Sequence, residues 1–438
     1  MDFSVHLSNF ILQSTYDNFY KRGVCYREEK MKTKKMHIYS SSLIPVLVIG
    51  FISTGIMALI SFPRSVYLLD LGVGVAQYGT FLSISNFLTL ILNLIFGKLL
   101  VRFRFVNQLL AGSVIVSAIC HSVMLVSFPI QVISIAFIIE FASSKLFAIF
   151  ILQVVAEVFS ARFGSGLGAY KLVGSLAWSI FASASGIITT YFSFSCLVII
   201  VIVLCVIKLG CLWIIVQNSV SEAKEKTVRA APKARAFSKL TWREGLGLAN
   251  VFLLYVVLQL QSNGGFSYLQ IFLTDDLKIN KIMSGVIISS SGLFEIAISI
   301  FIGLMCDRCN VHFVALAGSV LSAVRWILLG FCNGNFALLF ITQFLHGVMI
   351  CTISITFVSY VRKITPPSFE SMSYGVMGAL GSAGSILGSL LFGQCTETYG
   401  LAHSYIGLGI IGVVSCFVFL LLGFIADGGK ERRTGTHL

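Results

Sequence analysis

Charge is what this 438-residue sequence has least of: Asp, Glu, Lys and Arg together make up 11%, against roughly 25% in an ordinary soluble domain. That scarcity excludes the soluble classes, because no interruptions remain to break the apolar runs. Proline is scarce at 6 residues, so few of those runs contain a helix breaker. No metal-ligand motif, nucleophile motif or phosphate-binding glycine loop occurs, which removes the usual supports for an enzyme. Cys306 and Cys309 form a lone C-x-x-C without a second half-site, too little for a zinc centre. Neither a cofactor nor a metal is expected.

What the sequence has in quantity is hydrophobic residues, 57%, with 37 Phe. Apolar runs of about 20 residues recur, each long enough to cross a hydrocarbon core of about 30 Å. Twelve can be placed, near 43–63, 77–99, 106–128, 131–155, 169–191, 195–216, 246–268, 283–303, 312–331, 337–360, 374–393 and 403–425. The class expected is an all-α integral membrane protein.

The net charge of +13 would point to nucleic acid in a soluble chain, but its distribution follows the positive-inside rule. With the N-terminus cytoplasmic, 24 of the 31 Lys and Arg fall in tails, inward loops and inward helix ends. Only Arg64, Lys278 and Lys281 face outward, and Lys145, Lys171, Lys208 and Arg325 lie within spans. The charge therefore reports a multi-pass topology with both termini cytoplasmic, in a bacterial inner membrane. Lipid is the expected surroundings, and no nucleic-acid partner is implied. Met31, just before the first span, reads as a second translation start that would leave residues 1–30 dispensable; an ordinary tail is the alternative.

The basic stretch 217–244 separates spans six and seven. It gives a tail (1–42), a six-helix half (43–216), a linker (217–244), a second half (245–425) and a terminal tail (426–438). Gly97…Arg102 after span two and Gly303…Asp307-Arg308 after span eight are offset by 206 residues, a sign of duplication. Duplicated transporters place the solute site between the halves near the midplane.

Ionisable groups inside spans are costly and mark function by default. Glu140, Glu295 and His346 lie roughly 14–18 Å from the outer ends of their helices, with Arg325 and Lys145 nearby in depth. Glu140 and Lys145 are about 140° apart around one helix, so each needs a partner on another. Glu295, Arg325 and His346, on spans eight to ten, could exchange a proton; a static ion network is the alternative. Lys208 can snorkel and receives no role. Gln259, Gln261, Ser262 and Asn263 beside Gly264-Gly265 suit hydrogen bonding to a polyhydroxyl or amide solute, with Gln343 and Asn86 as further candidates; interhelical bonding competes. Span eleven carries Gly378, Gly381, Ser382, Gly384, Ser385, Gly388 and Ser389, which allow close backbone contact.

The Gly-x-x-x-Asp-Arg loop, matched by Gly303, Asp307 and Arg308 and partly by Gly97 and Arg102, resembles the signature of the major facilitator superfamily. The resemblance implies the two-half, twelve-helix fold, with these residues as a cytoplasmic gating loop; Val101 stands where the first copy would carry an acid. Gly168-Ala-Tyr-Lys171 through Trp178 resembles span five of the oligosaccharide-proton symporters and of the sugar efflux transporters. It implies sugar contacts at Lys171, Gln153 and Trp178, where Lys replaces an Arg and Gln an acid. Leu293-Phe-Glu295 and Gln343-Phe-Leu-His346 resemble both branches, with Met349 where the symporters carry a coupling acid, and the C-terminal half fits sugar efflux slightly better. Span five lacks Pro and span one lacks an acid, unlike common drug antiporters.

The expectation is a monomeric secondary transporter, not an enzyme, exporting sugars or another small polar compound against protons. Proton-coupled uptake of an oligosaccharide or nucleoside, and export of a toxic, antibiotic-like compound, remain open. A polytopic receptor or membrane enzyme is the remaining class.

Overall fold

A computed structural model describes residues 28–100, 106–126, 128–158, 163–223, 242–364 and 370–427. The helices are α1 (Glu28–Asp70), α2 (Val75–Leu100), α3 (Val106–Val123), α4 (Ile130–Val158), α5 (Phe163–Tyr191) and α6 (Phe194–Ala223) in the first half. The second half holds α7 (Trp242–Phe266), α8 (Lys281–Arg308), α9 (Val311–Gly330), α10, α11 (Glu370–Tyr399) and α12 (Leu401–Asp427). α10 runs from Phe336–Cys351 through a π-helical turn, Thr352–Thr356, into Phe357–Ile364. Among the described residues eleven helices are long and apolar enough to cross a membrane, and Asn107–Val123 is a shorter apolar helix. No strand occurs among the described residues.

Helical structure follows from the environment: with no water in the bilayer core, every backbone N–H must find its partner within the segment. The turns obey local chemistry. The side chain of Asn280 accepts from Met283 N, Asn310 from His312 N, and Asn335 from Ala337 N and Leu338 N, so each caps the helix that follows. Gly400, at φ 81°, is the only residue between α11 and α12. A side chain there would strain the left-handed backbone the reversal needs.

The largest departure from the expected spans is at α1, which continues through Pro63 and Arg64 to Asp70. Proline removes one N–H from the ladder, and membrane helices tolerate this because neighbours re-satisfy the freed groups. Arg64 does not face outward: it is 2% exposed, buried among the helices of the first half.

The halves meet along two seams, α5 against α8 and α2 against α11. Small residues set the separation. A methyl on Gly285 would sit 2.8 Å from the Ala182 carbonyl oxygen, and one on Gly292 2.7 Å from that of Ser175. Ser183 Oγ donates to Ser289 Oγ at 2.7 Å, and Ser83 Oγ to Ile386 O at 2.9 Å. These contacts lie toward the face opposite the termini. Tyr268, between α7 and α8, is fully buried there between Gly79 and Gly393. Three of the small residues expected on α11, Gly381, Gly384 and Gly388, pack against α7 within the second half, and a methyl on Gly264 of α7 would sit 2.7 Å from the Gly388 carbonyl oxygen.

Candidate functional site: buried charges around a central aromatic cluster

At mid-depth four aromatic groups from both halves converge. Trp178 of α5 stacks on Phe266 of α7 at 5.9 Å, Phe266 stacks on the His346 ring of α10 at 4.0 Å, and Phe62 of α1 meets both Trp178 and Phe266 edge-on. Offset and edge contacts are the arrangements aromatic quadrupoles favour. Trp178 and Phe266 are only partly buried, so the cluster leaves some aromatic surface exposed.

The expected charged residues separate into three groups. In the first half Glu140 is ion-paired with Arg64. Its other oxygen accepts from Ser144 Oγ at 2.6 Å and lies 3.9 Å from His121 Nε2. The Arg64 guanidinium also rests 4.5 Å over the Phe137 ring. His121 Nδ1 is 2.7 Å from the Ser117 carbonyl oxygen. A carbonyl only accepts, so Nδ1 carries the proton and Nε2 is left to face the carboxylate. Helices α1, α3 and α4 are tied together by this set. Lys145 does not join it; its ammonium lies 5.3 Å from the Phe141 ring centroid. Lys208 is buried, with its ammonium 3.3 Å over Phe147.

The second group holds Arg325 and His346, which lie within electrostatic reach of each other. The guanidinium is 3.9 Å over Trp326 and 5.9 Å from the Phe266 centroid, and Nε donates to the Thr342 carbonyl at 3.0 Å. Glu295 makes no ion pair with either, although its backbone packs against Gly347, next to His346. Its half-buried side chain sits at the α5–α8 seam, within electrostatic reach of Ser175 and Lys171. That third group therefore spans the two halves: an acid on one, an exposed ammonium on the other.

The amides divide as well. Gln261 is fully buried and fully used: Nε2 donates to Leu408 O at 2.9 Å, and Oε1 accepts from Ser322 Oγ at 3.0 Å. It is an interhelical tie. Gln259 and Asn263 are half-buried, Gln259 donating to Tyr255 OH at 2.7 Å and Asn263 to Gln259 Oε1 at 3.3 Å. Gln343 and Asn86 are buried, and Gln343 Oε1 and Asn86 Nδ2 have no partner among the described residues. Gln153 lies on α4 with its side chain outside the described set. Of the expected gating loop, Arg102 and the Asp307 side chain are also outside it; Gly97 ends up on α2, Gly303 has open space around it, and Arg308 is exposed.

A family model described as MFS_1 like matches residues 51–406, spanning both halves. The chain belongs to this family of the major facilitator superfamily. Among solved structures, it is similar to the nucleoside transporter NupG, at 15% identity and a TM-score of 0.70, covering 87% of this chain and 98% of that one. It is also similar to a POT family transporter in complex with 5-aminolevulinic acid, at 12% identity and 0.67, covering 90% and 96%. At such identities the likeness is one of fold. No individual curated protein matches the sequence. The chain is a membrane transporter and not an enzyme.

Proposed function

We propose that the chain is a proton-coupled exporter of a sugar or similarly small polar compound, with Glu295 as the proton carrier. The observation that carries this reading is the position of Glu295: a half-buried carboxylate of one half within electrostatic reach of the Lys171 ammonium of the other. Attraction between these opposite charges across the seam draws the halves together, and taking up a proton removes the acid's charge and with it the attraction. Releasing the proton to the other side restores it. Proton gain and loss thus bias two arrangements of the halves, which is what alternating access requires.

Gln259 and Asn263 offer donors and acceptors to hydroxyls, and the exposed part of the Trp178–Phe266 cluster suits the apolar face of a sugar ring. Lys171 adds a donor. The export direction rests on the resemblance of the segments around Glu295 and Gln343 to sugar efflux transporters. The lead test is proteoliposomes holding a pH-sensitive dye, challenged with sugars, nucleosides and antibiotics. A sugar-dependent proton signal in wild type that is lost in Glu295→Gln is the expected result. Solute movement without a proton signal, or wild-type behaviour in Glu295→Gln, would overturn the coupling, and a response to nucleosides alone would overturn the sugar assignment.

A further inference from the structure

Arg325 is 0% exposed, and two of its three guanidinium nitrogens, Nη1 and Nη2, have no hydrogen-bond partner among the described residues. Among the described residues no carboxylate lies within salt-bridge distance of it; the ion pairs found there are those of Glu140. The groups around Arg325 are aromatic faces, the Thr342 carbonyl, the His346 imidazole and the Tyr405 phenol. His346 is also buried, and its Nδ1 has no partner among the described residues.

A buried cation without a counter-charge is among the costliest arrangements in a protein. Lysine could escape by losing its proton, but arginine keeps its charge. The cluster holds unpaired donors, a fixed positive charge and no acid, which is the chemistry of an anion site. From this we propose that Arg325 and His346 bind a small monovalent inorganic anion, of the halide class, inside the second half. The anion supplies the charge that no side chain provides there, and Nη1, Nη2 and Nδ1 are its donors. Enclosure by Phe266 and Trp326 limits the site to an ion without a hydration shell and favours weakly hydrated halides. This assignment is independent of the role given to Glu295, which lies outside the cluster.

The test uses the purified full chain in detergent, exchanged into gluconate at constant pH and ionic strength. Radiolabelled chloride binding and circular-dichroism melting are then read as chloride or bromide replaces gluconate. Saturable binding near one chloride per chain is expected, with a melting midpoint raised by about 2–4 °C. Arg325→Met should lose both effects, while Arg325→Lys, which keeps the charge and gives up the fork, should retain them at weaker affinity. Equal midpoints in chloride and gluconate with no bound label would overturn the proposal, as would undiminished binding in Arg325→Met. A midpoint raised by acetate but not by halides would overturn the halide class and point to a carboxylate borne by the solute. The wild-type comparison stands even if a variant fails to fold.

Discussion

The two halves answer the same problem, a buried arginine, in opposite ways. Glu140 on α4 and His346 on α10 are offset by 206 residues, the spacing of the two Gly-x-x-x-x-Arg loops. The first half places a carboxylate at this position and closes the Arg64 charge with it. The second half places an imidazole there and leaves the nearby Arg325 open. A closed pair braces α1, α3 and α4 and offers nothing to a ligand. An open cation must recruit one, so the duplicated scaffold divides into a braced half and a half with binding capacity.

The comparison breaks most sharply at Arg64. Arg64→Met strands the Glu140 charge and should cost about 3–5 kcal/mol, read as a lowered unfolding midpoint, with much of it recovered in the Arg64→Met, Glu140→Gln double variant. Single and double variants that cost the same would mean the pair is not the brace. Arg325→Met, measured in gluconate, should have the opposite sign, from no change to a gain of about 1–4 kcal/mol. A loss as large as that of Arg64→Met would show that Arg325 has an internal partner after all and would erase the contrast. Gly264→Val, at the α7–α11 contact, should cost about 1–3 kcal/mol by overpacking, detected as lower yield of folded protein in detergent.

The smallest effect concerns the segment between α7 and α8. Asp276 is held above the usual carboxylate range by partial burial and by Asp275, against the opposing pull of Lys278. A raised carboxyl favours the folded state in acid, and that contribution fades as pH rises through the elevated value. Asp276→Asn should therefore flatten the dependence of the unfolding midpoint on pH just above the ordinary aspartate range. An unchanged slope would remove Asp276 from the account.

Much of the fold was legible because hydrophobic length and charge placement are one-dimensional signals. Twelve runs and a basic divider were enough to predict two six-helix halves, and the family match spans both. The site was legible only as a set of residue types. The place of Arg64 is hidden in the sequence because Pro63 and a charge together look like a helix end, whereas the chain continues and pairs that charge with a residue 76 positions away. No local spacing encodes such a partner. His121 is hidden for the same reason, although Ser117 four residues earlier is the neighbour a helical histidine can use. The split between Gln259 and Gln261 was in reach: two residues apart on a helix is about 200°, so the two amides could not face one cavity.

The aromatic cluster has an optical consequence. The chain has four tryptophans, at 178, 213, 242 and 326, and Trp178 is the one stacked on a ring of the opposite half. Its indole emission therefore depends on whether the halves are together at that level. A variant retaining Trp178 alone would carry its own fluorophore at the meeting point, and turnover could be followed by colour shift without attaching a label.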